Sequence, residues 1–295
     1  MSRKQKWDND TIDSRNISWW AKGIAYFIMS IFLILAIYPI IWLFIQSFKT
    51  NQDYMLSSKL ALPTEWFFGN YTRVWSQQGL QFGFPTFFMN SVIYTFTTTI
   101  AVILLANMAA FGLAKIPVRG SSVIYGAFII GILLVLQSIL IPLFVMVHAA
   151  GLFNTRIGIL IPYIALGLPM GIYLFTDFIK TGIPDELIES AKIDGASYLG
   201  IFPKIIFPMC TPVSVTLAII GFTGTWNEFI LMNILTEGDR LKSIPAMVGR
   251  YAGSLGTDYG RLFTSLSLSI IPILLFYFIF RNQITKGVAA GAVKG

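Results

Sequence analysis

Six stretches of this chain lack Asp, Glu, Lys and Arg and stay apolar over about the 20 residues a helix needs to cross a bilayer core. They cover residues 23–47, 91–114, 121–147, 157–176, 205–227 and 262–280. The hydrocarbon interior offers no partner to a backbone N–H or C=O, so runs of this length are expected to be helices. The expected fold class is therefore all-α: a polytopic membrane protein with six transmembrane helices and one domain. Composition agrees, with 55% hydrophobic and 12% charged residues in a chain of 295.

The formal charge of +7 is spread over the ends of the apolar runs rather than gathered in a patch, which argues against a nucleic-acid partner. An even number of spans puts both termini on one side. The segments on that side hold thirteen Lys and Arg residues against eight on the other, so both termini are expected to be cytoplasmic. This divides the chain into an N-terminal cytoplasmic segment 1–22, a six-helix domain 23–281 and a C-terminal tail 282–295. Residues 1–22 are polar and the apolar stretch after them is too long for a signal-peptide core, so it is expected to stay as an anchor. The tail is rich in small residues, a composition that usually means disorder.

Seven prolines, Pro39, Pro142, Pro162, Pro169, Pro208, Pro212 and Pro272, lie in the spans, where bent or broken helices are expected. They are either tolerated kinks or the walls and hinges of a cavity. The single cysteine, Cys210, excludes an intrachain disulfide and reads as apolar filler. His148 has no second histidine and no Cys or acidic residue at metal-ligand spacing, so no metal site is expected.

The polar loop 177–204 between the fourth and fifth runs has the pattern of a helix with defined ends. Pro184 suits a first helical position, and Asp185 and Glu186 suit the positive end of the helix dipole. Leu187, Ile188 and Ala191 fall on one apolar face, and Gly195 is placed to end the helix in a left-handed conformation. A helix this short is marginal alone in water and must pack on the membrane surface, its own bundle or a partner. Its polar side carries Asp185, Glu186, Glu189 and Asp194 against Lys192 alone, which favours a protein partner over anionic lipid.

The spacing inside this loop carries a family resemblance. Glu189-Ser190-Ala191, Gly195 after three residues, then Ile205 and Phe207-Pro208 after nine more resemble the EAA loop of binding-protein-dependent ABC importer permeases. That loop reads Glu-Ala-Ala, three residues, Gly, nine residues, Ile, any residue, Leu-Pro. Ser190 and Phe207 depart from it by small changes of volume. Ile193-Asp194-Gly195-Ala196, Thr225-Trp226-Asn227-Glu228-Phe229 and the tail Gly287 to Gly295 are similar to the carbohydrate branch, in particular its shorter maltose-type subunits.

The resemblance implies a MetI-like six-helix permease in a bacterial cytoplasmic (inner) membrane. It also implies a homologous second permease, two cytoplasmic ATP-binding subunits, an extracellular or periplasmic solute-binding protein and a sugar cargo, all in membrane lipid. Glu186, Glu189, Ser190, Ala191, Asp194, Gly195 and Pro208 would then form the ATPase-coupling site, and the tail would contact the ATPase pair.

No catalytic residue is expected and no cofactor on this chain; ATP and Mg belong to the partner subunits. The sequence holds no Gly-Lys pair, so it has no P-loop of its own. An ion-coupled secondary transporter, the main alternative, would normally carry charges inside its spans, and the six runs have none. A membrane hydrolase would need a nucleophile with a base, or a metal cluster. Candidate substrate-path residues are Asn90, Gln137, Trp226, Asn227 and Glu228. For each polar one a helix-to-helix hydrogen bond is favoured over substrate contact, whereas Glu228 fits an interface position equally well.

Overall fold

The computed structural model describes residues 18–76, 82–253 and 256–292, with the backbone alone at 252, 253, 256 and 282–292. Most of the N-terminal segment and the end of the tail lie outside the described residues. One membrane-length helix and two short ones open the chain: α1 (Trp19–Gln46), α2 (Asn51–Leu56) and α3 (Gly69–Trp75). Next come α4 (Phe84–Lys115), the pair α5 (Ser121–Ile132) and α6 (Leu136–Ala149), and α7 (Arg156–Gly182). The polar loop holds α8 (Asp185–Ile193), followed by α9 (Tyr198–Ile201), a π-helical stretch Phe202–Ile206 and α10 (Phe207–Met209). The chain closes with α11 (Thr211–Trp226), α12 (Ile230–Leu235), α13 (Ile244–Tyr251) and α14 (Tyr259–Ala292). Among the described residues the only strands are β1 (Ala252–Gly253) and β2 (Gly256–Thr257), paired antiparallel.

Among the described residues four helices, α1, α4, α7 and α14, are each long and apolar enough to cross a membrane, and the number reaches six if each of two bent pairs is one span. The bends are 107° between α5 and α6 and 71° between the 198–209 segment and α11. The second bend falls at Cys210 between Pro208 and Pro212, as the prolines predict. The first does not, because the break after Ile132 contains no proline. There Gly131 lies against the Pro169 ring, with room for a Cβ only at 3.2 Å from Cγ, and α5 ends one residue later. Pro39, Pro162, Pro169 and Pro272 sit inside helices that run on through them without a break.

Several expected boundaries move. Residues 19–22 belong to α1 rather than to a polar segment, and Asp177 and Lys180 complete the last turns of α7 rather than opening the loop. The backbone of the tail continues as helix to Ala292, where its small residues suggest disorder; alanine-rich sequence supports helix as readily as coil.

The centre of the bundle is α4 against α7, with α11 packed on α4 and α5 on α7. Gly167 and Gly171, four residues apart on α7, permit the close approach. A Cβ at Gly167 would come within 2.8 Å of Val102 Cγ2, and one at Gly171 within 2.7 Å of Ala106 Cβ. Small residues at this spacing are how helices meet in lipid, where apolar burial drives little association. Around this contact Ala106, Ala110, Ile172, Phe175, Ile179, Ile206 and Cys210 form a buried cluster. By contrast α1 buries only Gln46 and presents apolar side chains along most of its length.

Replacing Gly171 with Leu should therefore lower stability by about 1–3 kcal/mol through overpacking. Gly112, in the same α4 with nothing within 4 Å of a built Cβ, is the control; Gly112→Ala should be neutral or stabilising by up to about 1 kcal/mol. Thermal unfolding in detergent compares the two, and equal midpoints would contradict the glycine contact.

Candidate functional site

Helix α8 is short and its ends are built from backbone chemistry. Pro184 occupies the N-cap with φ −60° and ψ 145°, so the helix begins at Asp185, one residue later than the proline alone suggests. Asp185 and Glu186 fill the first turn and Lys192 the last, each complementing the helix dipole. Gly195 adopts φ +80°, its N–H donating to the Lys192 carbonyl and that of Ala196 to the Ala191 carbonyl, both at 2.9 Å. This paired closure is a Schellman motif, and glycine enters it without Cβ strain. The left-handed end expected at Gly195 is present.

Ile188 is buried and Ala191 packs beside it on the cluster around Phe111 and Ile206. Leu187, expected on the same face, is instead 38% exposed, because 100° of helix rotation carries it off the packed side. Ile193 and Leu199 are exposed at 86% and 85%, and Glu186, Glu189, Ser190 and Asp194 are exposed as well. The surface is thus apolar and acidic together. Ser190 Oγ donates to the Glu186 carbonyl at 2.8 Å, and Pro208 lies apart from this face at the bend before α11.

Two side chains at the end of α4 hold this loop. Lys115 Nζ, on a side chain 5% exposed, donates to the Ile183 carbonyl at 2.6 Å and pairs with Asp185 Oδ1 at 2.5 Å. One turn earlier, the Phe111 ring lies 6.1 Å from that of Tyr198 and 6.0 Å from that of Phe202. Lys192 bonds to the Tyr198 hydroxyl.

Further along the same helix, α4, α7 and α11 enclose a cavity of about 270 Å³. Thr98, Thr99 and Val102 line it from α4, Tyr163, Gly167 and Met170 from α7, and Gly221, Gly224 and Thr225 from α11. Sequence reasoning missed this set. The available signal was Gly221, Gly224 and Thr225 at spacings of three and four on one helix face.

None of the five residues named as substrate path lines this cavity. Asn90 is buried with its amide in use: Nδ2 donates to the carbonyls of Arg240 and Lys242, and Oδ1 accepts from Arg156 Nη2 at 2.8 Å. Ser91 and Tyr94 tie the same loop, the first accepting from Ile244 N and the second donating to the Leu241 carbonyl, each at 2.9 Å. Trp226 is buried, stacked on Phe222 with centroids 5.4 Å apart. Asn227 is exposed and donates to the Thr223 carbonyl, capping α11, and Gln137 is exposed at the start of α6. Glu228 does find partners: Tyr163 Oη donates to it at 2.6 Å, and the N–H groups of Leu231 and Met232 at 2.7 and 3.1 Å. It closes the start of α12 and ties it to α7. His148 packs between Phe144 and Phe153, and the described residues hold no group of three or more potential metal ligands.

The bundle is built on α4, α7 and α11, with an exposed, glycine-closed helix in the loop that follows α7. No family model matches the chain. It is 32% identical to the probable ABC transporter permease protein YurM of Bacillus subtilis over 265 residues, covering 90% of this chain and 86% of that one. It is 32% identical to the diacetylchitobiose uptake system permease protein NgcG of Streptomyces coelicolor, covering 92% and 89%. Identity to the multiple sugar-binding transport system permease protein MsmG of Streptococcus mutans is 34%, covering 91% and 96%. A crystal structure of a bacterial ABC transporter involved in the import of the acidic polysaccharide alginate superposes with a TM-score of 0.77, at 21% identity, covering 96% of this chain and 98% of that one. That likeness speaks for the fold. The chain belongs to the ABC transporter permease family.

Because Glu228 accepts three hydrogen bonds in the structure, Glu228→Ala should lower stability by about 1–3 kcal/mol, the cost of stranding buried donors. Thermal unfolding in detergent reads this directly. A variant of unchanged midpoint would remove Glu228 from the structural framework.

Proposed function

We propose that this chain is one of two permease subunits of an ATP-driven importer that moves a sugar or oligosaccharide across the bacterial cytoplasmic membrane. The observation that carries the reading is the exposed face of α8 and its flanks. Leu187, Ile193 and Leu199 are large apolar groups left uncovered at a site otherwise polar, beside Glu186 and Glu189. Such a surface needs a protein against it, and a cleft on an ATP-binding subunit is the partner that the family supplies. The relatives named for diacetylchitobiose and multiple sugars support a carbohydrate cargo.

In this reading each bent pair is one span, giving six. The more basic side, with α8, the N-terminal segment and the tail, faces the cytoplasm. Two ATPases hold ATP and Mg, a binding protein delivers solute on the outer face, and a second permease completes the passage. The α4/α7/α11 cavity is this subunit's wall of that passage. Its lining is mostly apolar, with Thr225 and glycine backbone among its few polar groups, which suits passage of a solute without selecting one. Closure of the ATPases moves α8, and the bundle alternates between outward and inward opening.

The test is retention of the ATP-binding subunits during purification of the complex. Ile193→Glu with Leu199→Glu should weaken retention about tenfold or more, since burying one large apolar side chain is worth about 1.5–3 kcal/mol. Gly195→Pro should do likewise, because proline cannot adopt the φ of +80° found there. Normal retention in both variants would refute docking at this surface.

A further inference from the structure

We propose that α4 is the element that takes up the movement of the coupling helix, and that Lys115 is the positioning residue that locks the two together. This rests on the reading that α8 docks an ATPase. The observation is where Lys115 bonds. Helix α7 ends at Gly182 and α8 begins at Asp185, and the two residues between them, Ile183 and Pro184, are extended, with ψ of 111° and 145°. Two extended residues between rigid helices form a hinge. Left alone, it would let α8 tilt without moving α7.

Lys115 Nζ bonds to the hinge itself, at the Ile183 carbonyl, and to the first residue of α8, at the Asp185 carboxylate. An ammonium has three donors, so one group can hold both at once. The bond to Ile183 is sheltered, for the side chain of Lys115 is 5% exposed, whereas that of Asp185 is 77% exposed and its pairing alone would be weak. Phe111, four residues back on the same face of α4, grips the other flank of the loop through Tyr198 and Phe202. Both sides of α8 are therefore referred to one helix.

That helix is suited to carry displacement. It runs from Phe84 to Lys115, about 48 Å at 1.5 Å per residue, with its one proline at the N-terminal start. Helix α7, by comparison, carries Pro162 and Pro169 in its interior, each of which removes a backbone donor. In its middle α4 lines the cavity through Thr98, Thr99 and Val102, and near its outer end Asn90, Ser91 and Tyr94 hold the 240–244 loop. A shift imposed at Lys115 reaches the cavity wall and the outer loop along one rod.

The experiment uses the complete complex with its ATPases, in a Cys210→Ala background carrying Thr225→Cys, half-buried in the cavity wall, as a reporter. The readout is the change in labelling of that cysteine by a soluble maleimide between nucleotide-free and ATP-bound complex. Lys115→Met should keep the ATPases bound yet cut the nucleotide-dependent change about five- to tenfold, in the range of ordinary coupling between two sites. Lys115→Arg should keep most of it. Asp185→Asn, which leaves the Ile183 bond in place, should give an intermediate loss and guards against a folding defect in the methionine variant. An undiminished response in Lys115→Met with ATPases bound would overturn the proposal and leave α8 docking intact. Loss of the ATPases from Lys115→Met would also overturn it, by making Lys115 part of the docking surface. Failure of docking itself appears separately, as normal ATPase retention in the Ile193 and Leu199 variant.

Discussion

The contact between α4 and α7 sets the rest of the molecule. In lipid the two helices gain little from hiding apolar surface, so what holds them is how closely their backbones approach. Gly167 and Gly171 supply that approach against Val102 and Ala106, and larger residues there would push the pair apart. With α4 fixed on α7, α11 has a groove to occupy, the cavity has its three walls, and Lys115 arrives beside the start of α8.

Polar groups that bond across the chain then work at the two ends of this contact. At one end, the single amide of Asn90 fastens two carbonyls and a guanidinium, and Glu228 gathers a phenol and two backbone N–H groups. At the other, Lys115 gathers a carbonyl and a carboxylate. Each is a buried or half-buried group with at least one partner from a distant part of the chain, which makes each joint costly to break.

How much of this is legible in the sequence follows the range of each interaction. The long helices are readable because charge-free length is a local property, and the glycine end of α8 because Gly195 needs only its own backbone. The break between α5 and α6 is not, for the residues on both sides are equally apolar and no proline marks it. Asn90 stands out as a polar residue in a span, but its partners lie 150 and 152 positions away and nothing near it announces them. Lys115 reads only as the charge that ends a span. Leu187 falls on the packed face by spacing alone, because spacing gives neighbours on a helix but not which of two adjoining strips meets the core.

The wall of the cavity leads to a point about speed. Its one phenol, Tyr163, is already engaged by Glu228, the hydroxyl oxygens of Thr98 and Thr99 are buried, and what remains is Thr225, glycine backbone and hydrocarbon. Such a surface grips a solute weakly and without much regard for its shape. If this cavity is the wall of the passage, as proposed, discrimination among cargoes falls to the protein that delivers the solute, and the passage is left free to let go quickly. A tighter wall would turn the route into a trap, since every bond made on the way in must be undone on the way out.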